Sequence, residues 1–249
     1  DVSFVDTMPW GQTLHGSIMY KGAFYRLYRK DGIAGVKSMD NGADIQIVRK
    51  GDQSSRNAYH YNMMLCLESR YPLMNTWGMW TPVVQFIATP KVYDRYISPN
   101  EDSQVVLFDD RLLFEKNRFM GYDRVDRSTR VNYGYEWSQS VKKGEFTAFM
   151  GQSFAMSKPD HVLNSVGVRK GLSDVVAKGQ WSCDASDIAC RMRCDKTSLK
   201  PYFYDAIWSF GPERINILGS YQVFLQNKNA DFPLEIDQYQ QLYVSMGSK

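Results

Sequence analysis

Long hydrophobic runs are missing from this 249-residue chain. No stretch approaches the roughly 18 consecutive apolar residues that a membrane-spanning helix needs. An excess of charge of one sign is also missing, because 30 Lys and Arg residues against 27 Asp and Glu residues give a net charge of only +3. Nucleic-acid-binding domains usually carry a stronger positive excess. We therefore expect neither a helical membrane protein nor a nucleic-acid partner.

Patterns that carry catalysis or metal binding are equally scarce. The three histidines, His15, His60 and His161, are far apart in the sequence, and neither a glycine-rich phosphate loop nor a Gly-x-Ser-x-Gly motif occurs. No pair of carboxylates has a spacing that selects a glycosidase site. We therefore predict no catalytic residue, no metal ion and no cofactor.

Cysteine is limited to Cys66, Cys183, Cys190 and Cys194. The segment with Cys190 and Cys194 alternates like a strand, which would hold the two sulfur atoms about 13 Å apart and disfavours a shared zinc ion. A bridge from Cys183 to Cys190 or to Cys194 across a hairpin and four free thiols are both compatible with the sequence.

Short segments that alternate apolar and polar residues fill most of the chain, and they predict about ten strands and no helix. The clearest places Val131, Tyr133, Tyr135 and Trp137 on one face, and Arg130, Asn132, Gly134 and Glu136 on the other. Residues 59–68 alternate in the same way. Further strands are predicted at 43–49, at 145–156 around Gly151-Gln152, and at Val162–Val168. The first thirty residues fit one long strand or a hairpin bent at Lys21-Gly22.

The distribution of aromatic residues distinguishes two all-β architectures. Aromatics make up 14% of the chain. Several lie at the ends of apolar faces, as in the girdle of a membrane barrel: Tyr59, Tyr61, Trp137, Tyr202 and Trp208. The opposite faces carry Arg, Glu, Asn and Gln at strand centres, as a hydrated interior requires. The pattern favours an antiparallel transmembrane β-barrel, with a soluble β-sandwich as the alternative.

A long loop at about 90–128 interrupts the strands, and its apolar residues argue that it is ordered. From Arg95 to Arg130 it holds seven acidic and seven basic residues. Such balance favours an ion-pair network that orders the loop in or over the lumen. A direct contact with a phosphorylated ligand is the alternative, with Arg118, Arg124 and Arg130 as candidates.

One family resemblance rests on this loop. Ile97-Ser-Pro-Asn-Glu-Asp-Ser-Gln, Phe108-Asp109-Asp110, Asn117-Arg118-Phe119-x-Gly121-Tyr122-Asp123-Arg124 and Arg130-Val131-Asn132-Tyr133-Gly134 resemble the lipopolysaccharide-assembly outer-membrane family LptD (organic-solvent-tolerance proteins), most closely its alphaproteobacterial branch. Further matches are Glu68-Ser-Arg-Tyr-Pro-Leu73, Gly151-Gln152-Ser153 and Phe210-Gly211-Pro212. The resemblance covers about residues 57–245.

The resemblance implies a barrel in the Gram-negative outer membrane that inserts lipopolysaccharide (LPS), or a related amphiphile, into the outer leaflet. It implies an LptE-like plug lipoprotein and a periplasmic LPS-transport bridge, which is reached through an N-terminal domain absent from this sequence. Residues 1–249 are expected to be a portion of a single barrel domain within a longer precursor. A passive porin-like channel is the functional alternative.

The resemblance also supplies the candidate site residues. The motif of the ordered loop comprises Pro99, Asn100, Glu101, Asp102, Asp109, Asn117, Arg118, Gly121, Tyr122, Asp123 and Arg124. Lumen-facing strand positions are expected at Arg130, Asn132, Gly134 and Gln152. Their expected role is to shape the lumen and to contact the plug protein or the passing glycolipid.

Overall fold

Antiparallel β-structure dominates the computed structural model, which describes residues 1–27, 56–90, 104–105, 107–121, 124–159, 163, 168–211, 215–225 and 239–248. The long loop contains a one-turn helix, α1 (Asp110–Leu113), where the sequence predicted none. Within the described ranges no helix is long and apolar enough to cross a membrane. The strand predicted at 43–49 lies outside these ranges.

The strands are numbered in chain order. They are β1 (Val2–Thr7), β2 (Thr13–Leu27), β3 (Arg56–Arg70), β4 (Leu73–Asn75), β5 (Gly78–Ala88), β6 (Gln104–Val105), β7 (Phe119–Met120), β8 (Arg130–Val141), β9 (Gly144–Ala155), β10 (Gly171–Leu172), β11 (Val175–Cys183), β12 (Ser186–Cys194), β13 (Pro201–Phe210), β14 (Ile215–Phe224) and β15 (Tyr239–Ser248).

One 13-stranded sheet contains most of these strands. Eleven of them follow in the order β1-β2-β3-β5-β8-β9-β11-β12-β13-β14-β15, while β4 pairs with β5 and β10 with β9. In the described part of the chain, β1 and β15 form the two edges of an open sheet. The predicted all-β antiparallel barrel fold is confirmed as an open portion, whose main path has eleven strands where the sequence predicted about ten.

In this sheet the face with polar side chains is buried and the face with apolar and aromatic side chains is exposed, which is the reverse of a soluble protein. On β8, Arg130 and Asn132 are completely buried, whereas Tyr133 and Tyr135 are 38% and 42% exposed. A sandwich would bury the tyrosines between two sheets, so the sandwich alternative is wrong and the membrane-barrel prediction stands. We call the face with Arg130 the inner face and the face with Tyr133 the outer face.

The connections differ between the two ends of the sheet. At one end, the short-turn end, Lys142-Lys143 joins β8 to β9 and Asp184-Ala185 joins β11 to β12. At the other, the long-loop end, residues 28–55, 89–129 and 225–238 connect the strands. Outer-membrane barrels commonly have short turns on the periplasmic side and longer loops outside.

The first thirty residues and the segment Val162–Val168 differ from expectation where the structure describes them. β2 runs through Lys21-Gly22 without a bend, so the hairpin alternative is wrong and the chain turns at residues 8–12 instead. Of the strand predicted at Val162–Val168, only Leu163 and Val168 are among the described residues. Leu163 is helical, so the strand prediction is wrong at that residue, and the Val168 N–H donates to the Leu163 carbonyl oxygen at 3.1 Å.

Tyr202 was predicted in the outer aromatic girdle, but the structure buries it on the inner side. The pairing of β12 with β13 shifts register between Arg193 and Cys194, at the start of β13. Because such an irregularity re-aims nearby side chains, Tyr202 reaches Asp174 and donates a hydrogen bond to its carboxylate.

All four cysteines are free thiols. In the β11–β12 hairpin, Cys183 lies opposite Ser186 beside the turn, Cys190 lies opposite Gly179, and Cys194 lies opposite Val175 at the far end. These positions are several residues apart along the strands, so neither candidate bridge is compatible with the register.

Candidate functional site

Part of the predicted loop folds back onto the inner face of the sheet. We call residues 107–121 and 124–129 the lumen loop. Its apolar side chains join strand and connection residues in one buried cluster: Phe108, Leu112, Leu113, Phe119, Leu163, Val168 and Val176. Asp109 caps α1, because its carboxylate accepts from the backbone N–H groups of Arg111 and Leu112 at 3.0 and 3.1 Å. The loop is therefore an ordered, packed element.

A buried ion trio joins the lumen loop to Arg130, the first residue of β8. Asp126 lies between Arg130, at 2.9 Å from carboxylate oxygen to guanidinium nitrogen, and Arg118, at 3.7 Å. The three side chains are at most 1% exposed. Arg130 also donates to the carbonyl oxygens of Glu115 and Lys116 at 3.0 and 2.7 Å. The trio thus ties three parts of the loop to one strand.

Two positive charges share one negative charge in this trio, and neutral acceptors bind one of the guanidinium nitrogens of Arg118. Its Nη2 donates to Asn132 Oδ1 at 3.0 Å and to Ser153 Oγ at 2.7 Å. Burial and the nearby Arg130 lower the pKa of Arg118 to about 9, which still leaves its guanidinium charged at neutral pH. The arrangement favours the predicted ion-pair network over a direct phosphate contact, because both guanidinium groups are enclosed.

The polar network continues along the inner face. Asn132 Nδ2 donates to Gln85 Oε1 at 2.7 Å, and Gln85 Nε2 donates to Glu68 at 2.9 Å and to the Phe114 carbonyl oxygen at 2.8 Å. Polar residues of β3, β5 and β8 are thereby linked to the loop. Buried polar networks favour one arrangement of the elements that they join.

Asn117 fixes the conformation of the lumen loop from within. Its side-chain oxygen accepts from the backbone N–H of Asp126 at 2.9 Å and of Phe119 at 3.3 Å, and its amide donates to the Arg124 carbonyl oxygen at 3.0 Å. One side chain therefore ties both ends of the segment that contains Gly121.

We expect Asn117→Ala to loosen this segment, because three hydrogen bonds disappear at a cost of about 1–3 kcal/mol. Limited trypsin digestion of the membrane-inserted protein should then cut faster after Arg124 and Arg127. Asn75→Ala, at the exposed end of β4 on the opposite side of the sheet, is the matched control. Equal cleavage rates in the two variants would contradict this role of Asn117.

A second attachment connects the loop to β12 and β13. Arg191 lies 3.3 Å from Asp110 of α1 and 3.0 Å from Asp205 of β13. Arg193 donates to the Phe108 carbonyl oxygen at 3.4 Å, and its guanidinium lies 4.7 Å from the ring centroid of Tyr202. Burial and the adjacent Asp109 raise the pKa of Asp110. The loop thus spans the inner face from β8 to β13.

A cavity of about 290 Å³ lies between α1 and the short-turn end of the sheet. Its lining includes Thr81 of β5, Glu136 of β8 and Lys178 of β11, together with Asp110 and Phe114 of the lumen loop. The inner face is therefore filled by the loop on the long-loop side and has a cavity with a mixed polar and apolar lining toward the short turns.

The structure brings some of the predicted site residues together. Asn117, Arg118, Arg130 and Asn132 belong to the buried network described above. Asp109 caps α1, and Arg124 is half-buried in the loop. Gly121 has a φ of +98°, a conformation that glycine adopts with least strain. Six motif residues lie outside the described residues: Pro99, Asn100, Glu101, Asp102, Tyr122 and Asp123.

Gln152 was predicted to face the lumen, but it lies on the outer face. It is directly opposite Tyr133, whose hydroxyl donates to Gln152 Oε1 at 2.7 Å, and its own amide donates to the Ser173 carbonyl oxygen. The next residue of β9, Ser153, lies on the inner face, opposite Asn132. Gly134 lies on the inner face, where a Cβ atom would approach the Phe149 ring to 2.7 Å.

Several residues of the network were missed by the sequence analysis, above all Asp126, Ser153, Gln85, Arg191 and Arg193. The ion pair of Asp126 could have been predicted from the sequence, because Asp126 lies four residues before Arg130 in a charge-balanced loop. The others have no local signal, since their partners are brought in from distant segments. Among the described residues, no group of three or more His, Cys, Asp or Glu side chains is arranged to hold a metal ion.

Comparison with known proteins gives one family. The model of the LptD family, described as LPS transport system D, matches residues 2–186. This range includes the lumen loop and the strands from β1 to β11. No curated protein matches the chain.

Proposed function

The chain belongs to the LptD family, LPS transport system D, and we propose that it is a portion of a non-enzymatic barrel that inserts LPS into the outer leaflet of the Gram-negative outer membrane. The observation that carries the proposal is the combination of this family match with a sheet whose outer face is apolar and exposed and whose inner face is polar. An apolar outer face suits hydrocarbon, and a polar inner face suits a hydrated interior.

The lumen loop supports transport rather than passive flow. A general pore needs a continuous water-filled passage, whereas here the loop packs against β8, β9 and β11 to β13 from the inside. We propose that it closes the lumen toward the outside, while the amphiphile leaves the barrel sideways. The buried ion trio would keep this closure in place during transport.

The short-turn end offers a place for the proposed plug lipoprotein. Glu136, Lys178 and Thr81 line the cavity beside α1, so a partner that enters it would meet both charged and neutral polar side chains. We propose that an LptE-like lipoprotein enters from this side. The periplasmic LPS-transport bridge would deliver its cargo to the same end of the barrel.

Depletion of the full-length protein tests the proposal. We expect newly made LPS to stop reaching the cell surface and to accumulate in the inner membrane, as measured by pulse labelling and membrane fractionation. Depletion of an unrelated porin is the control and should leave LPS export unchanged. Undiminished LPS at the surface after loss of the protein would refute the proposal. High steady ion conductance of the purified protein in a planar bilayer would support the porin alternative instead.

A further inference from the structure

The connection between β12 and β13 is the shortest one at the long-loop end, and one buried carboxylate fixes its conformation. Asp195 is 6% exposed, and its Oδ1 accepts from the backbone N–H groups of Thr197 and Ser198 at 3.0 and 2.8 Å and from the Ser198 hydroxyl at 3.0 Å. The Leu199 N–H also donates to the Asp195 carbonyl oxygen at 2.9 Å. We call residues 195–200 the lysine turn.

Leu199 lies in this turn at a position that suits leucine in neither conformation nor exposure. Its φ is +54°, a left-handed conformation that glycine or asparagine adopts at less cost than a branched apolar residue. It is also 63% exposed, so burial within the described chain does not offset the strain. Backbone strain of this kind is concentrated at sites of function. An apolar partner outside the chain would offset the cost by covering the side chain.

Lysines surround Leu199. Lys196 is half-buried and Lys200 is exposed, and they lie on either side of Leu199 within the lysine turn. The connection from β9 to β11 lies at the same end of the sheet, beside the lysine turn, and it adds the exposed Lys158 and Lys170. Four ammonium groups therefore belong to two neighbouring connections.

The acidic residues described in these two connections do not balance the lysines at the surface. Asp174 and Asp195 are 4% and 6% exposed. Asp174 accepts a hydrogen bond from Tyr202, and Asp195 holds the lysine turn from within. The exposed charge of this part of the rim is therefore positive among the described residues.

The lengths of β12 and β13 place the lysine turn near the edge of the hydrocarbon layer. The two strands have nine and ten residues, which matches the roughly 9–11 residues that a tilted strand needs to cross the hydrocarbon core. In contrast, β2 and β3 have 15 residues each and continue farther. A turn directly after β12 therefore lies at the level where lipid phosphates meet acyl chains.

We propose that the lysine turn binds the phosphorylated glycolipid of the outer leaflet, with Lys196 and Lys200 on its phosphate groups and Leu199 between its acyl chains. Ammonium groups act as point charges for phosphate, and the leucine covers apolar surface that a headgroup alone does not offer. Four lysines in two connections favour a glycolipid with more than one phosphate over phosphatidylglycerol, which carries one. The inference rests on the proposed function for the identity of the membrane, and it adds a site on the barrel wall for a lipid that is already in the leaflet.

A fluorophore on the turn tests the contact. In full-length protein whose native cysteines are replaced by Ser, Thr197→Cys carries the environment-sensitive dye NBD, because Thr197 contributes its backbone N–H to the turn and this group is kept. The protein is reconstituted in phosphatidylcholine vesicles with increasing fractions of diphosphoryl lipid A or of phosphatidylglycerol. We expect a blue shift of the emission that is half-maximal at no more than a third as much lipid A phosphate as phosphatidylglycerol phosphate. An equal response per phosphate, or no response to lipid A, would overturn the proposal.

Two double variants test the lysines in the same titration. Lys196→Ala with Lys200→Ala should raise the half-maximal lipid A fraction at least fivefold, because both charges of the turn are lost. Lys142→Ala with Lys143→Ala removes the same charge from the exposed β8–β9 turn at the short-turn end and should leave the fraction unchanged. Equal half-maximal fractions in the two double variants would show that the lysine turn does not hold the phosphates.

Leu199→Asn and Leu199→Met separate the apolar contact from the fold of the turn. Asparagine suits the left-handed conformation better than leucine, so Leu199→Asn should retain the heat-modifiable migration of the folded barrel. It should nevertheless raise the half-maximal lipid A fraction at least threefold. Leu199→Met keeps a flexible apolar side chain and should bind like the parent. Parent-like binding by Leu199→Asn would contradict the insertion of Leu199 between acyl chains.

The titration contains no transport step, so its outcome is distinguishable from that of the depletion experiment. If lipid A does not bind at the lysine turn while depletion still stops LPS export, the lysine turn is not a lipid site and the proposed function stands. If lipid A binds as expected while export continues after depletion, the site stands and the proposed function fails.

Discussion

Asp126→Asn should release the lumen loop from the sheet. The substitution keeps the shape of the side chain and an oxygen that can accept from the Ser128 N–H and hydroxyl, which now bond at 3.0 and 2.6 Å. It removes the only carboxylate of the ion trio and leaves Arg118 and Arg130 as two uncompensated buried cations. Breaking a buried pair in this way costs about 3–5 kcal/mol.

The cost should appear locally, because the strand pairing of the sheet does not depend on Asp126. We expect faster trypsin cleavage in the loop, the appearance of ion conductance in planar bilayers and greater sensitivity of cells to vancomycin. Asp184→Asn removes an acidic group from the exposed β11–β12 turn and serves as the control. If Asp126→Asn behaves like Asp184→Asn in all three measurements, the ion trio does not hold the loop.

A compensating substitution separates charge from shape. In Asp126→Asn with Arg118→Met, one buried cation remains, so the net charge of the trio returns to the +1 of the parent. Asn132 and Ser153 keep their own hydrogen bond of 2.7 Å. The double variant should therefore be less sensitive to trypsin than Asp126→Asn alone. A further increase in cleavage would indicate that Arg118 acts through packing rather than through its charge.

The strands were predictable because side-chain direction in a sheet has a period of two. Once Tyr133 and Arg130 had been assigned to opposite faces, the whole of β8 followed, and the exposed tyrosines then separated a barrel from a sandwich. The period of two also explains why the prediction for Gln152 was wrong. Met150, Gln152 and Phe154 share the outer face, so the position of Gln152 in the strand determines the face on which it lies, whatever the polarity of its side chain.

The interior of the site was not predictable to the same degree. The balance of charge in the loop predicted ion pairing, but alternation carries no information on which acid meets which base across a folded loop. Asp126 is close to Arg130 in sequence, whereas Arg191 meets Asp110 only because α1 packs against the neighbouring strands β9 and β11. The burial of Tyr202 depends on a register shift that the residue pattern does not predict. Contacts between distant segments depend on packing in three dimensions, which cannot be read from the order of residues in one sequence.

Gly151→Val should displace α1 from the inner face of the sheet. A Cβ atom at this position would lie 2.4 Å from Leu113 Cδ2, 2.8 Å from the Phe149 ring and 2.9 Å from the Tyr133 carbonyl oxygen. The side chains can move, but the carbonyl belongs to the pairing of β8 with β9 and cannot yield without disturbing the sheet. Overpacking of this kind costs about 1–3 kcal/mol.

The displaced helix should leave a passage along the inner face, so ion conductance and trypsin cleavage near α1 should both rise in Gly151→Val. Gly179→Ala, on β11, is the control, because a Cβ atom there has open space. Gly151→Ala combined with Leu113→Ala tests the cause directly, since the truncated leucine makes room for the new methyl group. If Gly151→Ala opens the lumen equally with and without Leu113→Ala, the strain lies in the β8–β9 pairing rather than in the contact between α1 and the sheet. The sheet, and not the lumen loop, would then determine whether the barrel stays closed.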